Sequence, residues 1–131
     1  MKVYIAGKMR GLPEFGFPIF DAAERILMAL GYECVSPASM DRDEGFDAAG
    51  KTGITLDGFN VYEALKRDFI AIMECDGIVL LPGWENSSGA QAEKVVATST
   101  GKKVMTYTEA VEEGQKRQKG RKLRGVVSAA H

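Results

Sequence analysis

Gly77-Ile78-Val79-Leu80-Leu81-Pro82-Gly83 is the stretch whose reading decides the fold. Gly77 to Leu81 is a continuous apolar run without polar alternation, and Pro82-Gly83 ends it. Such a run suits a strand covered on both faces, as in the middle of a parallel sheet. Parallel neighbours need long crossovers, usually helices, so helical periodicity is expected on either side. Downstream, Ser88 to Thr100 reads as a helix with Ala92, Val95 and Val96 inward. After Gly101, Lys103 to Tyr107 supplies another strand. Upstream, Val61, Leu65, Phe69, Ile72 and Met73 recur at about one helical turn, which predicts a helix over Val61 to Glu74.

Nearer the start the same unit recurs. Lys2 to Ala6 is rich in strand formers and stops at Gly7. Pro18 to Leu30 then carries Ile19, Ala22, Ala23, Ile26, Leu27 and Leu30 at helical spacing. Gly31 ends that helix, and Tyr32 to Ser36 reads as a strand closed by Pro37. Ala38 to Asn60 is mostly polar with four glycines and reads as a long loop. Thr108 to Gln118 supplies a last helix, while Lys116 to Arg124 is too basic to pack and is expected to fray. The alternation predicts an α/β fold, a doubly wound parallel sheet of flavodoxin or Rossmann type with strand order about 2-1-3-4. Strands 1 and 3 are then neighbours whose connections leave in opposite directions, and ligands bind beyond the carboxyl ends of strands at such a switch point. Two loops lie there: Gly7-Lys8-Met9-Arg10-Gly11 and Pro82-Gly83-Trp84-Glu85-Asn86-Ser87-Ser88-Gly89.

Composition limits the alternatives. The chain has 131 residues and a formal charge of −1, which suits one domain and does not mark the whole molecule as a nucleic-acid binder. The charge is unevenly spread, with −5 over residues 1–111 and +4 over 112–131. The expected organisation is therefore a domain over 1–111 and a basic, partly disordered extension over 112–131, the one part suited to nucleic acid. Cys34 and Cys75 follow no zinc, redox or disulfide spacing and read as reduced core thiols. No stretch has the length of a membrane span and the first residues lack a signal-peptide pattern, so a cytoplasmic protein with no membrane partner is expected. His131 is the only histidine, which leaves little room for histidine chemistry; no metal or cofactor is expected.

Several residues are candidates for chemistry. Gly45-Phe46-Asp47-Ala48-Ala49-Gly50-Lys51-Thr52 satisfies the phosphate-loop pattern, which would suggest an NTPase. That loop needs a strand before it and a helix after it, and the neighbouring residues supply neither, so coincidence is preferred. The acidic Asp41, Asp43, Glu44 and Asp47 miss calcium-loop spacing and read as a solvated loop. Asp68 shares the apolar face of its helix with Val61, Leu65 and Ile72, so it has either a task or a basic partner at the edge of that face. Glu93 lies about one turn into a helix whose start is marked by a capping-box-like pair, Ser88 and Gln91. Alone it would be an ordinary exposed residue; behind the switch-point loop it is a second acid beside Asp68.

Tyr4-Ile5-Ala6-Gly7 with Arg10-Gly11, Arg67-Asp68 ahead of Cys75 to Leu81, and Ser88-Gly89-Ala90-Gln91-Ala92-Glu93 resemble the nucleoside 2-deoxyribosyltransferase superfamily. The resemblance covers roughly Lys2 to Val104, and the stretch Trp84 to Ala90 looks most like a phage and bacterial branch. It implies cleavage of the N-glycosidic bond of a nucleoside or nucleotide, with the sugar passed to water or another base. It also implies roles by position: Glu93 as nucleophile, Asp68 as an active-site acid, Tyr4 near both, and Arg10 as a phosphate ligand. Gly7, Lys8, Gly11, Trp84, Ser87, Ser88 and Gly89 complete the expected substrate site, and a homodimer or larger assembly is implied. The chain departs from the family pattern at Lys8, Ala92 and Lys94-Val95. A nucleotide-binding module without turnover is the competing reading. In it Arg10, Lys8 and Trp84 hold a ligand and Glu93 is only a helix residue. The alternative for Arg10 is that it merely solvates its loop or pairs with Glu14.

Overall fold

The computed structural model describes residues 1–48 and 61–129. Four strands, β1 (Lys2–Ala6), β2 (Glu33–Val35), β3 (Gly77–Leu80) and β4 (Lys103–Thr106), form one parallel sheet in the order β2-β1-β3-β4. The helices among the described residues are α1 (Phe17–Ala29), α2 (Pro37–Asp43), α3 (Val61–Met73), α4 (Ser88–Ser99) and α5 (Tyr107–Ala129). Short 3-10 turns at Pro13–Gly16 and Trp84–Asn86 lead into α1 and α4. The expected doubly wound α/β sheet and its order are the ones observed.

The two-residue period of the strands sorts the core into two layers. Val3, Ile5, Val79, Leu81 and Met105 point to one face, where Phe17, Phe20, Ala23 and Leu27 of α1 and Ala110 of α5 meet them. Tyr4, Ala6, Ile78 and Leu80 point to the other, against Ile72 of α3 and Ala90 and Ala97 of α4. Tyr4 is therefore directed toward the α3 and α4 side by the pleat alone.

The helices differ from expectation in their rotation and extent. In α1 the buried residues are Phe17, Phe20, Ala23 and Leu27, while Ile19 and Ile26 are 53% and 46% exposed. The two phenylalanines bury more area than the isoleucines and set the helix rotation. In α4 the buried residues are Ala90, Glu93 and Ala97, and Val95 faces outward at 62% exposure. Met73 of α3 is likewise exposed.

The segment read as a loop from Ala38 holds α2, begun by Pro37 in the first-turn position that proline favours. Its inward residues include Asp41, so an apolar periodicity does not detect it. The expected solvated acidic loop is corrected accordingly: Asp41 is buried, although Asp43, Glu44 and Asp47 are exposed. Nor does the helix after β4 end at Gln118. α5 runs unbroken across positions 111 and 112 and through Lys116 to Arg124, the run expected to fray. Gly114 sits against Leu30 and Tyr32, the Tyr32 hydroxyl donates to the Ala110 carbonyl at 2.7 Å, and Gln118 Nε2 donates to the Ala29 carbonyl at 2.8 Å. Both cysteines are free thiols, Cys75 buried and Cys34 partly so. Among the described residues no helix is long and apolar enough to cross a membrane.

Gly77 opens the central strand opposite Val3 on one side and Lys103 on the other. A Cβ at this position would stand 2.9 Å from the Lys103 carbonyl oxygen, a backbone atom that moves only if β4 moves. Gly77→Ala is thus expected to destabilise the domain by about 1–3 kcal/mol in urea unfolding, the usual cost of forcing extra atoms into a packed contact. An unchanged midpoint would mean that β3 and β4 part there without cost.

Candidate active site

The switch point lies between the ends of β1 and β3, whose chains turn away toward β2 and β4. At this edge a cavity of about 350 Å³ is lined by Gly7, Lys8 and Arg10 from the loop after β1 and by Ser87, Ser88 and Gly89 from the start of α4; Asp68 and Glu93 stand in its wall. Eight of the eleven residues expected from sequence therefore meet in one place. Tyr4 lies beneath them, fully buried, with its hydroxyl donating to Glu93 Oε2. Two do not line the cavity. Gly11 is exposed in a left-handed turn at φ 85°, and Trp84 packs into the layer between sheet and α4, with Lys94 Nζ 4.8 Å from its ring centroid.

Sequence spacing does not reveal Phe15, a third part of the wall. Glu14 and Phe15 both adopt left-handed backbone, φ 52° and 58°, and this turns the Phe15 ring inward to 2% exposure. Pro13 and Gly16 bracket the turn in sequence, yet nothing in the residue types names Phe15 as its inward member.

The start of α4 is capped one residue earlier than expected. Ser87, not Ser88, is the N-cap, its Oγ accepting from the Ala90 N–H at 3.1 Å, and Gln91 donates to the Glu85 carbonyl. Ser88, Gly89 and Ala90 of the first turn of α4 line the cavity, where the helix dipole favours an anion. At Gly89 a Cβ would meet only Ser87 Oγ at 3.8 Å, so the protein itself has no steric need for glycine here.

Three buried carboxyls gather below. Asp41, Asp68 and Glu93 are 2%, 7% and 5% exposed. Asp68 has a basic partner, Arg67, and it also lines the cavity. Arg67 reaches Asp68 Oδ1 through Nη2 at 2.7 Å and Nε at 3.0 Å, Asp41 Oδ1 at 2.8 Å and Glu44 Oε2 at 3.0 Å. This guanidinium ties α2 to α3. Arg67 belongs to the stretch that carries the sequence resemblance, but its pairing with Asp41 and Glu44 is not marked by the sequence.

The electrostatics follow from burial. Desolvation and the Asp68 charge push the Glu93 carboxyl up to about 8, against the opposing pull of the Tyr4 hydrogen bond and of Arg67. Desolvation also raises Asp68, although the Arg67 hydrogen bond and charge hold it back, and raises Asp41 to about 6. Tyr4 is raised well above the usual phenol range by burial and by the Glu93 and Asp68 charges, so it stays a hydroxyl donor. Asp68 and Glu93 therefore titrate as a coupled pair with both carboxyls raised, and in the state between their two ionisations one carboxyl is an acid and the other a nucleophile or base.

The phosphate-loop match is not supported by what precedes it. Gly45 follows helix α2, not a strand, and Lys51 and Thr52 lie outside the described residues. A second depression of about 360 Å³, between Phe17, Arg42 and Phe46, contains none of the expected site residues.

No curated protein matches the chain. A family model described as a domain of unknown function (DUF4406) matches residues 1–106, from the first strand to the last and including both cavity loops, and the chain belongs to that family.

Proposed function

We propose that the protein cleaves the N-glycosidic bond of a nucleoside or deoxynucleoside, or of its 5′-monophosphate, with Glu93 as nucleophile. The observation that carries this reading is the buried Asp68 and Glu93 pair in the wall of a cavity at the switch point, next to the first turn of α4. The sequence resemblance to nucleoside 2-deoxyribosyltransferases supports the same roles.

In the first step a Glu93 carboxylate oxygen attacks the anomeric carbon as the bond from that carbon to the base nitrogen breaks. The bonding pair leaves with the base, and the proton held by the pair passes through Asp68 to that nitrogen. In the second step water or another base attacks the same carbon, the bond to Glu93 breaks, and the incoming nucleophile's proton returns to the pair. Two close carboxyls dividing nucleophile and acid roles in this way are the retaining glycosidase arrangement. Tyr4 orients Glu93 and disperses its negative charge when it leaves. Arg67 balances Asp68 as the proton departs. Arg10 and the α4 N-terminus hold the phosphate of a monophosphate substrate; among the described residues no ion pair engages Arg10. Assembly as a homodimer or larger and a cytoplasmic location belong to the same proposal.

Released base, measured by chromatography over a panel of nucleosides and 5′-monophosphates, is the direct test. Activity should follow a bell in pH. It rises as the first carboxyl of the pair ionises, above the ordinary aspartate range because burial raises Asp68, and falls near pH 8 as the last proton leaves. Glu93→Gln should abolish release. Ligand binding with no release by the wild type would instead favour a binding module.

The same variant carries its own folding control. Glu93 is raised on folding, so its protonated form contributes stability that is fully present below the ordinary glutamate range and is lost as pH rises through about 8. Denaturant midpoints of the wild type should fall across that window, and Glu93→Gln should flatten the fall while remaining folded. Parallel curves for the two proteins would contradict the buried placement of Glu93.

Phosphate preference is tested at Arg10. A charge-assisted contact contributes about 1.5–3 kcal/mol, so Arg10→Ala should weaken a 5′-monophosphate about tenfold to a hundredfold and leave its nucleoside nearly unaffected. Equal losses for both would make Arg10 a support for its loop, and the plain nucleoside the better substrate.

A further inference from the structure

The last acidic residues of the chain are Glu112 and Glu113, and six of the next eleven residues, Lys116, Arg117, Lys119, Arg121, Lys122 and Arg124, are cationic. Such a run alone would be an ordinary solvated segment. Here it is continuous α-helix with a fixed mounting. Ala110, Gly114, Arg117 and Arg121 follow one another by four, three and four residues and share one face. That face lies on the domain: Arg117 stacks on Tyr32 at 4.5 Å from the ring centroid, and Arg121 Nη1 lies by Gly31. Lys116, Lys119 and Lys122 step by three along the other side, all exposed. Among the described residues no ion pair engages any of these three. Each step advances about 4.5 Å along the helix axis.

The topology places this row away from the cavity. α5 starts at the carboxyl end of β4 and runs back past Gly31, just before β2 begins, so its basic part lies at the opposite edge of the sheet. The body over residues 1–111 carries a net −5, so the field of the domain as a whole disfavours a polyanion and the basic helix is its most favourable surface.

We propose that the basic half of α5 is a docking surface for the phosphate backbone of duplex nucleic acid, bound without regard to sequence. The charge row matches a polyanion, and an α-helix fits the width of a major groove. Single-strand binding adds aromatic stacking, and residues 116–124 contain no aromatic side chain. An anionic lipid surface calls for an apolar helix face, and Leu123 is the only large apolar residue in that run. The proposal does not depend on the chemistry of the cavity.

Fluorescence anisotropy of a labelled duplex of about 24 base pairs, titrated with the full chain at several salt concentrations, tests it; about 0.9 counterions are released per phosphate contact. The wild type should bind with an affinity that falls steeply with salt. Lys116→Gln/Lys119→Gln/Lys122→Gln, which changes three exposed lysines, should keep its circular dichroism and lose about three from the magnitude of the log-log slope. Absence of binding at about 50 mM salt, where such contacts are strong, would overturn the proposal. So would an unchanged slope in the triple variant, or binding to phosphatidylserine vesicles in place of the duplex.

Discussion

One guanidinium has to serve three carboxylates. Arg67 contacts Asp41, Glu44 and Asp68, and Asp41 and Asp68 are almost wholly removed from water. Burying a charge without a partner costs several kcal/mol, and a pair recovers this only with good geometry and further hydrogen bonds. With Glu93 nearby the acids outnumber the cation, so the remaining balance is made by protons. Burial first and the neighbouring Asp68 second raise Glu93 to about 8, and burial raises Asp41 to about 6 against the pull of Arg67. The same imbalance shapes the fold: α2 is held to α3 through Arg67, and any rearrangement of either helix would leave a buried carboxylate uncompensated.

Much of the architecture was legible because apolar runs and punctuation coincide. Gly77 to Leu81 is apolar at every position because strand β3 is covered on both faces, and Gly31, Pro37 and Gly101 mark true ends of elements. The errors have a shared cause. Ile19, Ile26 and Val95 were expected inward because they are apolar, yet the helix rotation is set by what its neighbours accept, which is Phe20 in α1 and the polar Glu93 in α4. α2 escaped notice for the same reason, since its inward members include Asp41. The length of α5 was underestimated because composition reports whether a segment can bury surface, not whether a docked first half will carry the helix onward.

For the candidate site, position along the fold was more informative than residue type. Gly7, Lys8, Arg10 and the Ser87 to Gly89 turn converge because topology brings the loops after β1 and β3 together. Asp68 was legible from its place on an apolar helix face. Its partner was hidden, because Arg67 is its immediate neighbour in sequence and adjacent helical residues do not share a face; the contact arises when the long side chain folds back. Phe15 was hidden by its backbone, since left-handed conformations of ordinary residues leave no mark in the sequence.

That backbone has a physical consequence for the cavity. Two successive non-glycine residues in the left-handed region cost about 1–3 kcal/mol each, and they persist only where the surroundings fix them. The fixing contacts are aromatic: Phe15 meets Phe17 edge-on at 6.1 Å and Phe46 at 5.6 Å, and this cluster joins the loop after β1 to α1 and to the chain leaving α2. On the opposite wall the Ser87 cap sets the first turn of α4, and below them Arg67 sets Asp68. Each wall is therefore anchored outside the cavity by interactions that a ligand need not supply. A cavity constrained in this way spends little binding energy on ordering itself, so the interactions it makes with a reacting group are available for the reaction coordinate.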